Sequence, residues 1–474
     1  MLKKLSVEVI LLLAASGLLS AQTLQTLVHQ PPDGVGISFL MTDGTVITQG
    51  NAESDWAKLT PDDKGSYLNG TWKKIASLPS GYVPDAFASA VLADGRLVIV
   101  GGEYNNNQFA LTNLAAIYDP AKDTWARLGH PKSWGYIGDS PSAVLPDGRY
   151  VVGRKLDHRL AALDPATLQW TELNDTGKSD FNAEEGWTLM PDGSILTFDV
   201  KNAPHSERYI DSEQKWVSAG STIVDLHSPY VGSCIPYGGG CYHPPGEVGP
   251  GVLRPDGTVF ATGSASKTGA GHTAVYHLST GKWTVGPDFP NGDNAGDSFA
   301  VLLPSGDVLV LGDSGQLYDF DGTNLKPDKF SGVAPILMLP TGQVFAASNV
   351  AAVYNPVGKY QQSWAPVITN LPKTVTRGST YKIFGQQFNG LSQAAAFGDE
   401  FQTATNYPLV RITNQASHHV LYAKTHDHST MGVATGTAKV FTNFDVPANM
   451  ETGTSTLEVV ANGIPSKPVS ITVN

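Results

Sequence analysis

The sequence predicts an all-β protein in which a seven-bladed β-propeller precedes an immunoglobulin-like β-sandwich. The 474-residue chain contains 50 glycines, 31 prolines and only 16% charged residues, a composition too rich in turn formers for a helical protein. Short apolar strands separated by glycine turns recur seven times, with 36 to 64 residues between successive turn glycines. The repeat ends near Trp364, and the composition changes beyond it. We therefore expect a propeller over residues 22–366 and a sandwich over residues 367–474.

The first 21 residues have the layout of a secretory signal peptide. Two lysines precede the apolar run Val9–Leu19, and the small residues Ser20 and Ala21 follow it. The run is too short for a membrane span, and no later segment contains about 18 consecutive apolar residues. We expect residues 1–21 to be removed and the mature protein to be secreted or periplasmic, with no membrane span.

The two cysteines predict a covalent link, and the charge of the chain limits the kind of partner. Cys234 and Cys241 lie seven positions apart in a stretch rich in glycine and proline. In an oxidising compartment this pair predicts a small disulfide loop. The formal net charge is −12 and the chain has no basic run, which argues against nucleic acid as a partner. We expect the protein to be a monomer.

Each repeat combines two apolar strands, a tight turn between them, and an aromatic pair. In the second repeat the strands and turn occupy Ala90–Gly102, and Tyr118 and Trp125 follow seven residues apart. Asp-Gly turns supply the positive φ that a hairpin needs, so the flanking runs are predicted to pair. The aromatic residues are predicted to pack between neighbouring blades. This pattern resembles the kelch repeat over roughly residues 30–366, and the resemblance implies a kelch-type propeller with seven blades.

The C-terminal region is predicted to contain six alternating strands. They are Thr380–Phe384, Leu409–Thr413, Val420–Ala423, Val440–Phe444, Ser455–Ala461 and Val469–Val473. About a hundred residues of such strands fit an immunoglobulin-like sandwich. The stretches Pro408–Ile412 and Leu457–Ser466 resemble the C-terminal domain of the galactose oxidase and glyoxal oxidase family. That family joins a propeller and a sandwich in the same order.

Acidic residues recur at nearly the same position of six repeats. Each precedes a turn glycine by nine to eleven residues, and the six are Asp33, Asp85, Asp139, Glu184, Glu247 and Asp297. Around a propeller axis they would form a ring of like charges, which raise one another's pKa unless a cation or a donor compensates them.

The register of these acids is not equal. Asp139, Glu184 and Asp297 share one register and are the preferred site residues, with Glu185 beside them. Asp85 and Glu247 are displaced by one position and Asp33 by two. A shift of one residue turns a strand side chain to the other face. The alternative, in which each acid only caps a turn, stays open.

Two further regions are candidates for ligand contact. The long link between Trp216 and Glu247 carries Tyr237 and Tyr242, which are suited to stacking on a sugar. In the C-terminal region His426 and His428 alternate along a strand and could ligate zinc or copper.

The family resemblance carries its own expectations for the metal. It implies that one histidine of the C-terminal domain reaches a metal on the propeller axis, and two alignments place that histidine at His418 or at His426. The family's Tyr-His copper pair in the last blade is replaced by Gly332-Val333. Without that pair, one-electron alcohol oxidation lacks its redox group.

Three functional hypotheses follow. The leading one is an exported protein that binds carbohydrate or cell-surface material at an acidic axial pocket. A divalent cation (Ca, Zn or Cu) would be held there by Asp139, Glu184 and Asp297, with His418 or His426. The second is an enzyme, either a copper oxidase with substitute ligands or a glycan hydrolase that uses paired carboxylates. The third is a kelch scaffold that binds protein partners.

Overall fold

The structure is a computed structural model that describes residues 22–228, 246–265 and 269–474, together with the backbone of 235–237 and 240–242. The predicted signal peptide, Cys234, and the side chains of Tyr237, Cys241 and Tyr242 lie outside this description. The described residues are mostly strand and irregular structure, and the helices among them are single 3-10 turns at Asp211–Glu213, Pro290–Gly292 and Gln362–Trp364. Within this part of the chain, no helix has the length and apolar character needed to cross a membrane.

Seven antiparallel sheets within the described residues repeat one plan, in which four strands pair in succession. The first sheet contains Ser38–Leu40, Val46–Gln49, Trp56–Thr60 and Thr71–Ile75; the second contains Ala88–Val91, Leu97–Val100, Ala115–Asp119 and Thr124–Leu128. The third contains Ser142–Val144, Tyr150–Gly153, Leu160–Asp164 and Gln169–Glu172; the fourth contains Thr188–Leu189, Ile195–Phe198, His205–Ile210 and Lys215–Ser221. The fifth contains Val248–Leu253, Thr258–Gly263, Thr273–His277 and Lys282–Val285; the sixth contains Ala300–Leu302, Val308–Leu311, Gln316–Phe320 and Leu325–Ser331.

The seventh sheet joins the two ends of this region. Its strands Ile336–Met338, Val344–Ala347 and Ala351–Asn355 are followed by Thr23–Thr26, which pairs with the last of them from Thr23 opposite Asn355 onward. The first strands of sheets two and three, four and five, five and six, and six and seven contact one another, and the first strand of sheet seven also contacts that of sheet one. The sheets are therefore arranged around an axis as in a β-propeller, with their first strands innermost. This arrangement agrees with the all-β propeller that the sequence predicts.

The turns and aromatic residues have the predicted roles. Gly95 and Gly148 have φ values of +83° and +92°, which favour glycine at these turns. Trp56 of the first sheet packs on Trp125 of the second, with ring centroids 5.1 Å apart. Trp283 of the fifth sheet donates a hydrogen bond of 2.8 Å to Ser206 of the fourth. The large aromatic side chains thus join neighbouring sheets.

The C-terminal region contains all six predicted strands. Its strands are Val367–Asn370, Thr374–Val375, Thr380–Gln386, Leu409–Asn414, Val420–His426, Val440–Asp445, Gly453–Ala461, Ile464–Pro465 and Val469–Val473. Val420–His426 pairs first with Leu409–Asn414 and then with Val440–Asp445, so it links two groups of strands. Fully buried apolar side chains, including Ile383 and Phe444, form the core of this region.

One segment of the C-terminal region enters the propeller axis. We call residues 394–407 the axial hairpin. Its strand Ala395–Ala396 pairs antiparallel with the first strand of sheet six. The chain therefore runs from the rim of the Asp-Gly turns towards the rim where the first strands begin. Beyond the apex, Phe401 donates a backbone hydrogen bond to Phe87, and Tyr407 Oη donates to the Leu40 carbonyl at the far end of the first strand of sheet one.

Two small sheets lie outside this plan. Pro84–Asp85, Tyr104–Asn105 and Gln108–Phe109 form a three-stranded sheet beside the second propeller sheet. Ile235–Tyr237 and Gly240–Tyr242 form a two-stranded sheet in the long link.

Candidate functional site

Carboxylates from the propeller meet the apex of the axial hairpin. We call this group the axial carboxylate cluster; its members are Asp139, Glu184, Asp297, Asp399 and Glu400. Oxygens of Asp139, Asp399 and Glu400 lie within 4.8 Å of one another, and oxygens of Glu184, Asp297 and Asp399 do the same. Asp399 belongs to both triads and therefore lies at the centre of the cluster.

Local backbone structure explains why the propeller acids converge. Asp139, Glu184 and Asp297 each stand just before the first, innermost strand of a sheet. Glu184 has a φ of +59°, the left-handed conformation that a non-glycine residue seldom adopts. Glycine also permits the close approach of the hairpin, because a Cβ atom on Gly398 would lie 2.7 Å from Asp297 Oδ1. The three acids in common register are thus brought together at one end of the axis.

A buried lysine organises one side of the cluster. Lys155 is fully buried, and its Nζ contacts Asp139 Oδ2 and lies 2.5 Å from Glu184 Oε1. It follows the second strand of sheet three, and its ammonium compensates one negative charge. The five carboxylates of the cluster outnumber this one ammonium group, so the cluster retains an excess of acidic groups.

Two oxygens of the cluster have no hydrogen-bond partner among the described residues. They are Asp139 Oδ1 and Asp399 Oδ2, on side chains that are 3% and 4% exposed. A buried acceptor without a partner costs about 1–3 kcal/mol, and more when it is charged. A proton, a donor from a ligand, or a cation is needed to offset this cost.

The pKa values of the cluster residues also reflect the excess of acidic groups. Burial raises the pKa of Asp139 to about 8, against the opposing effect of Lys155 and with a contribution from Asp399. Burial also raises the pKa of Glu184 and of Glu400 well above the usual range. At neutral pH, part of the cluster is therefore protonated unless a cation replaces the protons.

Asp297 differs from the other members in its exposure. Its side chain keeps solvent-accessible surface, yet enclosure by protein atoms and the charges of Asp399 and Glu247 raise its pKa well above the usual range. Asp297 is therefore the solvent-exposed member of the cluster.

The other acids that the sequence predicts lie at the edge of the axial carboxylate cluster or outside it. Burial raises the pKa of Glu247, and Asp399 adds to the effect. Asp85 is exposed, and its Oδ1 accepts from the Ala86 amide at 2.9 Å. Asp33 accepts from the Ala52 amide at 3.0 Å, as expected for a turn cap. Glu185 points away from the axis and binds Lys178 at 2.8 Å.

The structure does not place the predicted histidines on the axis. His426 contacts Asp427 at 2.7 Å and Asp445 at 3.2 Å on the C-terminal region. The neighbouring Thr425 amide donates to the Thr42 carbonyl, beside the Asp-Gly turn at the rim opposite the carboxylates. His418 occupies a turn with a φ of +60° that follows Leu409–Asn414.

The segment that reaches the axis is instead the hairpin 394–407, which precedes Leu409–Asn414 in the chain. The expectation that His418 or His426 reaches the carboxylates is corrected accordingly. His428 is buried, stands 2.8 Å from Thr442 Oγ1, and has a pKa lowered by burial to about 3. It is therefore a neutral, buried residue of the C-terminal region.

Aromatic side chains lie on the Asp139 side of the cluster. Tyr104 is 36% exposed, and its ring packs on Phe109 with centroids 6.1 Å apart. Partial burial raises the pKa of Tyr104, and the nearby charges of Glu103 and Asp139 add to the effect. Tyr237 and Tyr242, which the sequence suggests for stacking, have side chains outside the described residues. Sequence reasoning missed Tyr104, Lys155, Asp399 and Glu400, and the signal for the last two was the long connection before Leu409.

Comparisons with known proteins support a kelch-type propeller. No protein-family model matches the chain. N-acetylneuraminate epimerase of Haemophilus influenzae is 25% identical over 297 residues, which cover 51% of this chain and 76% of the epimerase. Kelch-like protein terF of Aspergillus terreus is 26% identical over 125 residues, 24% of this chain and 27% of terF.

Among solved structures, a fungal alcohol oxidase of the AA5 family in complex with copper superposes with a TM-score of 0.51. The superposition covers 96% of this chain and 100% of the oxidase, at 13% identity. At this identity the similarity concerns the fold alone. The copper of that oxidase is therefore a property of the oxidase.

Proposed function

We propose that this protein is an exported binding protein that holds a divalent cation in the axial carboxylate cluster and uses it to recognise a neutral carbohydrate. The observation that carries the proposal is the pair of buried, unpartnered oxygens on Asp139 and Asp399. A cation at this point offsets the cost of both oxygens and replaces the protons that the raised pKa values imply.

The donor set favours calcium over copper or zinc. The cluster offers carboxylate oxygens, the ligands preferred by hard cations, whereas copper and zinc favour imidazole or thiolate. Two oxygens bound to one Ca²⁺ at about 2.4 Å stand at most about 4.8 Å apart. The spacing within both triads is compatible with this limit. The copper site of the oxidase family does not fit, since its Tyr-His pair is Gly332-Val333 here.

Two observations support a carbohydrate as the ligand. Tyr104 presents an exposed aromatic ring on the Asp139 side of the cluster, suited to packing on the apolar face of a sugar. The sequence relative from Haemophilus influenzae is named for the epimerisation of N-acetylneuraminate, an acidic sugar, so it supports a sugar as the ligand class and not the neutral character of that sugar. Because five carboxylates exceed the charge of Lys155 and one divalent cation together, a neutral sugar is favoured and an anionic sugar is disfavoured.

The wider architecture is part of the same proposal. We infer seven blades over residues 22–366 from the seven sheets, and an immunoglobulin-like sandwich over residues 367–474 from the C-terminal strands. We also infer export from residues 1–21. The axial hairpin is then the means by which the second domain completes a site on the first.

A second candidate, a carboxylate-dependent glycan-active enzyme, is favoured by one observation. Asp139 has a pKa raised to about 8 and lies among acids, so it would hold a proton at neutral pH and could act as a general acid. The two functions are separable, because an Asp139 carboxylate that binds a cation is ionised and cannot donate a proton.

Calcium titration by calorimetry tests the proposal. The wild-type protein, stripped with EDTA, is expected to bind one Ca²⁺, and Asp399→Asn should weaken this binding at least about tenfold because it changes the shared ligand. Asp85→Asn is the matched control, since Asp85 is an exposed acid outside both triads. Wild-type protein without calcium binding, but with glycan cleavage or epimerisation that Asp139→Asn abolishes, would support the enzyme instead.

A further inference from the structure

A second buried polar network lies in sheet four, outward from the axis. The neighbours Glu184 and Glu185 point to different networks: Glu184 meets Lys155 in the axial cluster, whereas Glu185 Oε1 and Oε2 lie 2.8 Å and 2.9 Å from Lys178. The side chain of Lys178 is fully buried, and its Nζ lies over the Trp216 ring. The two networks have separate lysines and are distinct.

Adjacent strands of sheet four bring three potential ligands together. Asp199 follows the second strand, and His205 and Glu207 are the first and third residues of the third strand. Residues two apart in a strand share one face, so the imidazole and the carboxylate project together. One ligand atom from each of the three lies within 4.8 Å of the others.

Both ring nitrogens of His205 have a polar partner that fixes the orientation of the imidazole. Its Nδ1 is 2.7 Å from Asp199 Oδ2, and its Nε2 is 2.8 Å from Ser218 Oγ. A metal-binding imidazole commonly donates its second ring nitrogen to an outer oxygen, which fixes the tautomer. Ser218 stands in this position. The His205 side chain is 34% exposed, which leaves a path for an ion from solvent.

An unpartnered oxygen supplies independent support for a ligand. Asp199 is 2% exposed, and its Oδ1 has no hydrogen-bond partner among the described residues. Asp199 also contributes an oxygen to a second compact triad, with Asp180 and Glu185. The unpartnered oxygen is thus on the residue shared by both triads.

The network around Lys178, like the axial carboxylate cluster, contains more acidic than basic side chains. Lys178 pairs with Glu185 and lies 3.6 Å from Glu207, while Asp180 and Asp199 bring two more carboxylates. The Glu207 carboxylate is held in place by the Ser179 amide at 3.0 Å. A fixed carboxylate, an oriented imidazole and an unpartnered oxygen form an arrangement that a cation would complete.

We propose that Asp199, His205 and Glu207 form a second metal site, selective for Zn²⁺ and separate from the axial cluster. An imidazole nitrogen and carboxylate oxygens are ligands that zinc accepts in proteins. The fourth position is left to water or to Ser179 Oγ, which stands 2.6 Å from Glu207 Oε1 and 3.1 Å from Asp199 Oδ2. The axial cluster has oxygen donors only and prefers a different ion. This inference does not depend on the proposed carbohydrate function.

Zinc titration of the full-length mature protein, with calcium present in excess, tests the site. Wild-type protein is expected to bind one Zn²⁺, and Co²⁺ substituted for it should give the intense visible absorption of a tetrahedral site. His205→Ala should weaken zinc binding at least about tenfold and abolish that absorption. His205→Gln, which retains a hydrogen-bond donor for Asp199, serves as a second variant if alanine perturbs folding.

His272→Ala is the matched control. His272 also stands at the start of the third strand of its sheet and pairs with one carboxylate, Asp288, at 2.8 Å, with similar exposure. It lies outside the compact triads among the described residues. Zinc affinity that is unchanged in both His205 variants, or lost equally in His272→Ala, would overturn the proposal. Zinc binding that persists in Asp399→Asn would support a site independent of the axis.

Discussion

Replacing Lys155 by methionine tests whether the axial carboxylate cluster depends on buried positive charge. Lys155 is fully buried between Asp139 and Glu184, and methionine removes the charge while filling most of the same space. Removing one partner of a buried ion pair typically costs about 3–5 kcal/mol, because the other charge remains uncompensated. We expect a loss of this size in the free energy of unfolding when EDTA is present.

The expected loss depends on pH and on calcium in defined ways. Without the lysine, the acids can relieve repulsion by binding protons, so the loss should be smaller at pH 6 than at pH 8.5. Calcium at about 100 times its dissociation constant adds about 2.7 kcal/mol to a protein that binds it only when folded. Calcium should therefore recover a substantial part of the lost stability in Lys155→Met.

Urea unfolding followed by tryptophan fluorescence provides the measurement, and Lys326→Met is the control. Lys326 forms an exposed ion pair with Asp321 at 3.1 Å, with 66% of the lysine side chain exposed. Its replacement should change stability by less than about 1 kcal/mol. If Lys155→Met is no more destabilising than Lys326→Met, then the cluster does not require its lysine and the charge argument for the site fails.

Three further predictions concern the hairpin, pH and the ligand. Gly398→Ala should weaken calcium binding, because its Cβ would lie 2.7 Å from Asp297 Oδ1; Gly129→Ala, whose Cβ meets nothing within 4 Å, should not. Burial and Asp328 raise the pKa of Asp319 to about 7. The folded state therefore binds a proton at Asp319 more tightly than the unfolded chain does, and the stability that this proton provides is lost as the pH rises from about 4 to 7. In denaturant titrations, Asp319→Asn should stabilise the protein more at pH 8 than at pH 5. Glycan-array binding should favour neutral sugars over sialylated ones and should be lost in Tyr104→Ala; preference for the anionic glycans would contradict the charge argument.

Much of the propeller side of the site is predictable because repetition carries positional information. Asp139, Glu184 and Asp297 share a distance to their turn glycines, and equal distance places equivalent side chains at equivalent points around an axis. The same reasoning distinguishes Asp33, which is two positions out of this register and caps a turn, from the three acids of the cluster. Strand periodicity likewise gives the six C-terminal strands, since alternation is a local property of the chain.

Asp399 and the histidines show where this reasoning fails. Asp399 belongs to no repeat, and its place at the centre depends on the pairing of Ala395–Ala396 with a strand of sheet six about a hundred residues earlier. Such a contact leaves no local pattern. His426 has a clear local pattern, but the strand that carries it rests on the opposite rim through Thr425 and Thr42. Local alternation identifies a face of a strand and does not identify which end of the propeller that face approaches.

The dependence on Asp399 makes the axial site a property of two joined regions rather than of the propeller alone. The two triads overlap only at Asp399, so without the hairpin the propeller acids would surround an open channel and have no central ligand. A cation bound to both sets of carboxylates would hold the hairpin in the axis, and the pairing of the hairpin with sheet six would in turn hold Asp399 at the cation. Cation binding and docking of the hairpin would then be thermodynamically linked, and each would stabilise the other.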